Sequence, residues 1–284
     1  RGRWKLDEST TVELLDVPGA YSLSANSEDE RVAIAAIAGL PPTPRPDAVV
    51  IVAAATELAR HLYLALQVRE LGRPTVVAMT MVDQLESQGL RVDFELLPAE
   101  LGLTVVPVLA KGAGRGLDDL AQAVKRAVEA GPLPGARGTS VTESEALQAD
   151  VTAVAEVVEH DWTGDDPDTA RALARWALVT ADAPHALDHL DPAIADAARA
   201  RRQSAHEQDR DLEQELIASR YQWIDERIDH FVIRETTAKR SLSDRADSIL
   251  LHPVFGFAIF AVVMTGIFQA LFVGADPAIG WIED

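Results

Sequence analysis

Three short motifs place carboxylates, glycines and a lysine directly after apolar runs of the chain. A carboxylate opens the first motif and closes the second, and the third carries the lysine. The motifs are Asp16-Val17-Pro18-Gly19, Thr80-Met81-Val82-Asp83 and Ala110-Lys111-Gly112.

The chemistry of these residues suits a guanine nucleotide with Mg²⁺. Asp16 can hold Mg²⁺ through water, and Gly19 lets backbone N–H groups approach a terminal phosphate. Asp83 can accept two N–H bonds from guanine, which adenine does not offer. Lys111 and the backbone around it can cover the base. An ordinary turn also explains the first motif and an ordinary loop aspartate the second, so each motif alone leaves both interpretations open.

The elements that must position the motifs alternate between strands and helices. The predicted strands are Thr11 to Val17, Asp47 to Ala54, Pro74 to Met81 and Thr104 to Ala110, and the predicted helices are Glu57 to Leu71, Leu96 to Leu101 and Gly116 to Ala130. This order indicates an α/β fold with a doubly wound parallel sheet. We therefore expect all three motifs at the carboxyl ends of strands, where one ligand can contact them together.

A proline- and glycine-rich stretch at residues 131–138 separates this part from a helical one. Helical patterns then continue to about Ile233. Thr142 and Glu145 have capping-box spacing at the start of this part, and Pro192 fits the first turn of a later helix.

The segment from Val254 to Val273 has twenty residues without a formal charge, twelve of them Val, Ile, Leu or Phe. As a helix it spans about 30 Å, the thickness of a bilayer core. Basic residues precede it and only acidic ones follow, which places the preceding part in the cytoplasm. Ser241 to Leu251 predicts a short helix at the membrane surface. A buried core helix is the alternative interpretation of the apolar segment.

The composition excludes some classes of function. The 284 residues carry a formal net charge of −19 and no cysteine. An acidic chain does not suit nucleic acid as a general partner, because phosphate binding requires a basic surface. Without cysteine there is no disulfide and no thiolate metal site.

Two polar pairs have helical spacing. His185 and His189 can face one way as metal ligands or lie on the surface as ordinary histidines. Thr265 and Gln269 can line a permeation route or bond a neighbouring helix, and we favour the second.

The chain resembles ferrous iron transport protein B (FeoB) in runs spread over nearly its whole length. The matching runs are DVPGAYSLSANSEDERVA from Asp16, TELARHLYL from Thr56, MTMVD, QGLRVDFELL, VPVLAKGAGRGLDDL, RYQWID from Arg220 and SLSDRADSILLHPVFGFAIF from Ser241. Motifs of a GTPase and of a membrane protein in one chain make the resemblance specific.

The resemblance implies a transporter that takes up Fe²⁺ across the inner membrane and uses GTP. The implied regions are a partial P-loop GTPase domain (1–131), a helical domain (132–240), a membrane-surface helix (241–252), a transmembrane helix (253–273) and the extracytoplasmic start of a further segment (274–284). Implied ligands are GTP or GDP, Mg²⁺ and transported Fe²⁺. Implied partners are the lipid bilayer, small regulatory iron-transport proteins and a second copy of the chain.

By motif, Asp16 to Gly19 form the γ-phosphate and Mg²⁺ switch, and the stretch through Ser27 and Glu28 forms the second switch. Thr80 to Asp83 recognise guanine, and Ala110 to Gly112 cover the base. The protein is then multi-pass, with its GTPase and helical domains in the cytoplasm.

Two departures from the family pattern matter. Thr80 stands where the family usually has Asn, so we expect weaker guanine affinity with Asp83 keeping most of the selectivity. No G-x-x-x-x-G-K-S/T motif occurs. We therefore expect a fragment that does not hydrolyse GTP, folds poorly alone and has unpaired edges on two interior strands. The alternatives are a membrane-anchored regulatory GTPase that is not a transporter, and a non-catalytic remnant.

Overall fold

The structure, a computed structural model, describes residues 1–23, 28–39, 44–109, 114–131, 141–158, 167–181, 191–234 and 249–283. The chain divides into two compact units, Arg1–Glu235 and Thr236–Asp284. The first unit contains both the α/β elements and the helical elements that the sequence predicts.

The strands of the first unit are β1 (Gly2–Lys5), β2 (Thr11–Leu14), β3 (Val49–Ala54), β4 (Thr75–Thr80), β5 (Leu90–Val92), β6 (Thr104–Pro107) and β7 (Val232–Arg234). Its helices are α1 (Glu28–Ala38), α2 (Leu58–Glu70), α3 (Val82–Ser87), α4 (Leu96–Leu101), α5 (Leu117–Ala130), α6 (Glu145–Ala155), α7 (Pro167–Thr180), α8 (Pro192–His206), α9 (Leu212–Asp225) and α10 (Ile228–Phe231). The second unit contains α11 (Phe255–Glu283).

A three-stranded parallel sheet in the order β3-β4-β6 forms the centre of the α/β part. On β4, Val77 and Met79 belong to the core shared with α2, while Val76 and Ala78 belong to a second core with α5. Successive strand residues point to opposite faces, so β4 is buried on both sides. This strand is the one that the sequence predicts from Pro74 to Met81.

The strand before the first motif does not join this sheet. β2 pairs with β1 in a separate antiparallel hairpin, with Gly2 opposite Leu14. The expectation that this strand belongs to the parallel sheet is therefore wrong. β2 also ends at Leu14 instead of Val17, because its partner strand begins at Gly2.

The hairpin lies against the second core instead. Trp4 and Leu6 pack on that core, and Lys125 of α5 forms an ion pair of 2.6 Å with Asp7 in the hairpin turn. Asp7 also accepts backbone N–H bonds from Ser9 and Thr10. The bond from Lys125 and those from the turn hold the pKa of the Asp7 carboxyl below its ordinary range.

β3 lies at one edge of the parallel sheet and, within the described residues, pairs only with β4. Val52, in the middle of β3, is 65% exposed. Strand side chains point to the faces of a sheet, so Val52 lies on a part of the sheet face that the described residues leave uncovered.

The helical elements pack on α2 as well as on each other. α6 packs on α7 and α8, and α2 contacts both α7 and α9. Leu58, Leu62 and Leu66 of α2 are buried as its periodicity predicts, but Gln67 to Glu70 are buried too. Periodicity alone misses this, because α2 is enclosed between the sheet and the helical bundle.

The helix caps correct one prediction. Ser144 caps α6, because its Oγ accepts a bond from Leu147 N at 3.2 Å. The predicted capping pair of Thr142 and Glu145 is therefore wrong. Pro192 does stand in the first turn of α8, where the Asp191 carboxylate is the cap.

A short antiparallel ribbon ties the end of the helical bundle back to the α/β part. β7 pairs with β5, with Leu90 opposite Arg234, and Asp93 N donates to Phe231 O at 2.8 Å. The helical pattern that the sequence predicts to about Ile233 therefore ends at Phe231. The reason is the extended partner strand, which pairs with the β-branched Val232 and Ile233.

The second unit is dominated by α11, a helix of 29 residues. Its described side chains include large apolar ones that are exposed: Phe255, Phe257, Ile259, Phe260, Val262, Val263, Ile267, Phe268 and Leu271. Within the part of the chain that the structure describes, no helix has both the length and the apolar character needed to cross a membrane. The predicted transmembrane helix is thus not confirmed.

Candidate functional site at the carboxyl ends of the strands

The second motif forms a tight turn from β4 into α3. Thr80 ends β4, and its hydroxyl donates to Ala53 O of β3 at 3.1 Å. Met81 then adopts a left-handed backbone (φ 57°, ψ 24°), which is uncommon for a residue with a Cβ. Val82 is buried and anchors α3, while Asp83 in its first turn is exposed. The turn therefore presents the Asp83 carboxylate to solvent at the carboxyl end of β4.

The chain after β6 lies beside that turn. β6 ends at Pro107 and not at the predicted Ala110. Val108 N donates to Met79 O at 2.8 Å, which holds the next residue against the end of β4. Leu109 N donates to Arg115 O at 3.0 Å and closes a loop.

Two glycines shape the return of this loop. Gly114 and Gly116 have positive φ values of 64° and 88°. A Cβ on Gly116 would lie 2.1 Å from Pro107 O, so no larger residue fits there without a shift. Ala110, Lys111 and Gly112 of the third motif lie outside the described residues. Both ends of their loop, however, are held at the same rim as Thr80 to Asp83.

The first motif is an open segment after the hairpin. Asp16 and Gly19 are exposed, and Val17 and Pro18 are half-buried. A Cβ on Gly19 would meet no atom within 4 Å. The backbone at Gly19 is therefore accessible to a ligand.

The residues that follow the first motif pack on α2 and form a hydrogen bond with it. The Tyr21 and His61 rings contact edge to face, with their centres 6.2 Å apart. The Arg60 guanidinium lies 4.3 Å from the centre of the Tyr21 ring. Burial lowers the pKa of His61. Leu23 N donates to Gln67 Oε1 at 2.9 Å. Since α2 begins just after β3, these contacts hold the segment on the helix that leads from the rim.

The structure thus brings the second motif and the ends of the third-motif loop together. In the described parts of the chain, no hydrogen bond or ion pair joins Asp16 to Gly19 directly with Thr80 to Asp83. The link between them runs through α2 and β3.

A buried ion pair that the sequence reasoning missed lies farther along α2. The Arg220 guanidinium binds Glu70 through two bonds, Nη2 to Oε2 at 2.8 Å and Nε to Oε1 at 3.2 Å. Burial raises the pKa of Glu70, but Arg220 and then Arg175 outweigh it and hold that pKa below its ordinary value. Arg175 itself forms two bonds with Glu143. The resemblance at RYQWID, which contains Arg220, was the one available signal.

The described residues give little support for a metal site built by protein alone. They contain no group of three or more His, Asp or Glu that could hold a metal ion. Asp16 can supply one oxygen, which suits Mg²⁺ only where water and nucleotide phosphates complete its shell. His185 and His189 lie outside the described residues. Thr265 Oγ1 donates to Ala261 O of its own helix at 2.7 Å.

Comparison with known proteins agrees with this arrangement. Residues 1–124 match the sequence profile of the family described as ferrous iron transport protein B. Residues 1–124 of the chain belong to the FeoB family. A curated relative, the Fe(2+) transport protein A/Fe(2+) transporter FeoB fusion protein of Porphyromonas gingivalis, is 29% identical over 278 residues, which are 96% of this chain and 32% of the relative. The chain therefore spans about a third of the length of that FeoB protein.

Solved FeoB structures share the fold. The cytosolic domain of FeoB from Legionella pneumophila matches with a TM-score of 0.66 and 26% identity, covering 82% of this chain and 84% of that one. A GDP-bound mutant of the S. thermophilus FeoB G-domain matches with a TM-score of 0.58 and 27% identity, covering 76% and 79%. The α/β fold with a parallel sheet is thus that of FeoB cytosolic domains.

Proposed function

We propose that this chain is the guanine-nucleotide switch, helical domain and first span of a GTP-dependent Fe²⁺ uptake transporter of the inner membrane. The observation that carries the proposal is the shared rim: the Asp83 turn and the ends of the loop after β6 lie side by side. Membership of the FeoB family supports the iron substrate, and the GDP-bound FeoB G-domain supports the nucleotide.

The base-binding side of the pocket consists of the second and third motifs. Asp83 accepts N–H bonds from guanine N1 and N2, and adenine has no donor at the matching positions. Its exposed carboxylate at the start of α3 is free to do so. Thr80, Met81 and Val82 fix that carboxylate, and Ala110, Lys111 and Gly112 cover the base.

The phosphate side consists of the first motif. Gly19 donates its backbone N–H to the terminal phosphate, while Val17 and Pro18 fix the turn. Asp16 holds Mg²⁺ through water, and the metal supplies charge compensation to the phosphates when it is bound. The exposure of Asp16 and Gly19 is what this role requires.

The membrane part of the proposal concerns α11. Residues 253–273 form the span, 241–252 lie at its surface, and 274–284 begin an extracytoplasmic segment. The support is the row of exposed phenylalanine, isoleucine and valine side chains on α11. Such a surface suits lipid better than water. The multi-pass protein then keeps its GTPase and helical domains in the cytoplasm.

Protein partners follow from the same proposal. The P. gingivalis relative is described as a fusion of transport protein A with FeoB. This supports a small regulatory iron-transport protein as a partner. A second copy of the chain is the other candidate.

The base-recognition part can be tested by inverting the hydrogen bonds. Asp83→Asn replaces an acceptor by a group that can also donate, which matches the C2 carbonyl of xanthine. We expect GDP affinity to fall about 10- to 100-fold and XDP to bind better than GDP, because bonds to a charged group contribute about 1.5–3 kcal/mol. Calorimetric titration measures both. Glu86→Gln, also on α3, is the matched control, and equal losses in the two variants would refute the role of Asp83.

Transport is tested in the protein that carries this chain. Uptake of radioactive Fe²⁺ into sealed right-side-out membrane vesicles loaded with GTP should fall with Asp83→Asn and recover when the vesicles are loaded with XTP. If Asp83→Asn changes nucleotide choice but leaves Fe²⁺ uptake intact, the alternative of a membrane-anchored regulatory GTPase is favoured.

A further inference from the structure

One buried contact fixes the chain after the first motif to α2. Leu23 lies in neither a helix nor a strand and is 3% exposed, and its N–H donates to Gln67 Oε1 at 2.9 Å. Gln67 is 6% exposed, which is unusual for glutamine. A buried backbone N–H without a partner is unfavourable. Gln67 therefore supplies an acceptor that secondary structure does not.

The packing around this contact is incomplete. A cavity of about 10 Å³, enough for about one water molecule, borders Leu23, Gln67, Glu70, Trp176 and Arg220. Trp176 Nε1 is buried there and has no partner within the described part of the chain.

The same helix, α2, also contacts the helical bundle. Glu70 follows Gln67 by three positions, so both side chains project from one side of α2. Glu70 binds Arg220 of α9 through two bonds. Gln67 and Glu70 therefore connect the segment after Gly19 and the helical bundle through less than one turn of a rigid element.

We propose that Gln67 is the positioning residue for the segment after Gly19: it fixes Leu23 to α2, the helix that also binds Arg220 of α9 through Glu70. The inference rests on the proposed function, in which this segment is the second switch. Gln67 acts through Leu23 and does not itself contact the nucleotide.

Amide hydrogen exchange of the whole chain tests the contact without any nucleotide. Gln67→Leu keeps the side-chain size and removes the acceptor. We expect Leu23 N–H to exchange about fivefold faster or more, the effect of losing about one hydrogen bond. Val77 in β4 should keep its protection, which shows that the fold is intact. Gln122→Leu makes the same change on the exposed face of α5, and as the matched control it should change nothing.

A second arm adds a GTP analogue that is not hydrolysed, because the segment after Gly19 follows the proposed γ-phosphate motif. In Gln67→Leu we expect a weaker affinity for this analogue with an unchanged preference for it over the matching ATP analogue, because Asp83 is untouched. Unchanged exchange of Leu23 in Gln67→Leu would overturn the proposal. If the unmodified chain does not bind GDP at all, the proposed function fails, and the exchange result still decides the role of Gln67.

Discussion

Glu70 and Arg220 lie 150 positions apart in the chain and meet in the interior as a two-bond ion pair, with Nη2 and Oε2 2.8 Å apart. Their side chains are 9% and 4% exposed. Tyr63 adds to the site, since its ring stacks on Tyr221 at 4.9 Å and lies 6.0 Å from the guanidinium. The pair joins α2 of the α/β part to α9 of the helical bundle.

The first prediction concerns the stability that this pair provides. Arg220→Met leaves a buried carboxylate without its partner, which costs about 3–5 kcal/mol of unfolding free energy. Glu70→Leu combined with Arg220→Met should cost clearly less, because neither partner of the pair is left as an unpaired buried charge. Urea unfolding measures both. Arg199→Met, which breaks an exposed pair with Asp196, is the control and should cost less than about 1 kcal/mol.

The second prediction is the pH dependence of the same pair. The pKa of Glu70 is lower in the folded than in the unfolded chain, where it is about 4.3. A lowered carboxyl pKa contributes stability that is present above the unfolded pKa and is lost as the pH falls through the folded one. Unfolding free energy should therefore decline below about pH 4.3, and the decline should be shallower in Glu70→Gln. Identical slopes in the two proteins would contradict this.

The third prediction concerns Thr80, where the family usually has Asn. The Thr80 hydroxyl donates to Ala53 O and so joins the ends of β3 and β4. Thr80→Asn can keep a donor to Ala53 and adds an amide for the loop after β6. We expect GDP to bind about tenfold more tightly, the effect of about 1.4 kcal/mol, with little change in urea stability. Weaker GDP binding in Thr80→Asn would show that the threonine is the better residue here.

The fourth prediction concerns the glycine that returns the loop to the rim. Gly116→Ala places a Cβ 2.1 Å from Pro107 O at a φ of 88°. Gly131 has a φ of 77° and a ψ of −164°, a conformation that glycine alone adopts readily, but a Cβ there would meet no atom within 4 Å. We expect about 1–3 kcal/mol of destabilisation for Gly131→Ala from backbone strain alone. We expect more for Gly116→Ala, because a clash adds to the backbone strain. Equal losses in thermal unfolding would mean that the backbone at Pro107 moves freely.

Local pattern was enough for the central elements. The apolar run of β4 predicts a strand buried on both faces, and the bounds of α4 are those predicted, Leu96–Leu101. The carboxyl ends of neighbouring parallel strands lie at one edge of the sheet. This also predicts that the Asp83 turn and the loop after β6 meet. These features depend on neighbours in sequence and on the parallel sheet alone.

Features that depend on distant partners were not predictable from pattern. β7 is three residues long, and only its pairing with β5 distinguishes it from a helix end. The local sequence predicts that Glu70 is an exposed charge on an amphipathic helix, because no neighbouring residue indicates the contact with Arg220. Gln67 is missed for the same reason. The pairing of β2 with β1 likewise follows from tertiary packing of Trp4 and Leu6 on the second core.

The central claim, a guanine pocket at the rim, is tested most directly by nitrogen-edited NMR of the chain titrated with GDP and, separately, with ADP. We expect millimolar GDP with Mg²⁺ to shift the amide signals of Met81 to Asp83 and of Val108 to Gly116, and ADP at the same concentration to leave them unchanged. GDP without effect on these residues, or ADP with the same effect, would contradict it.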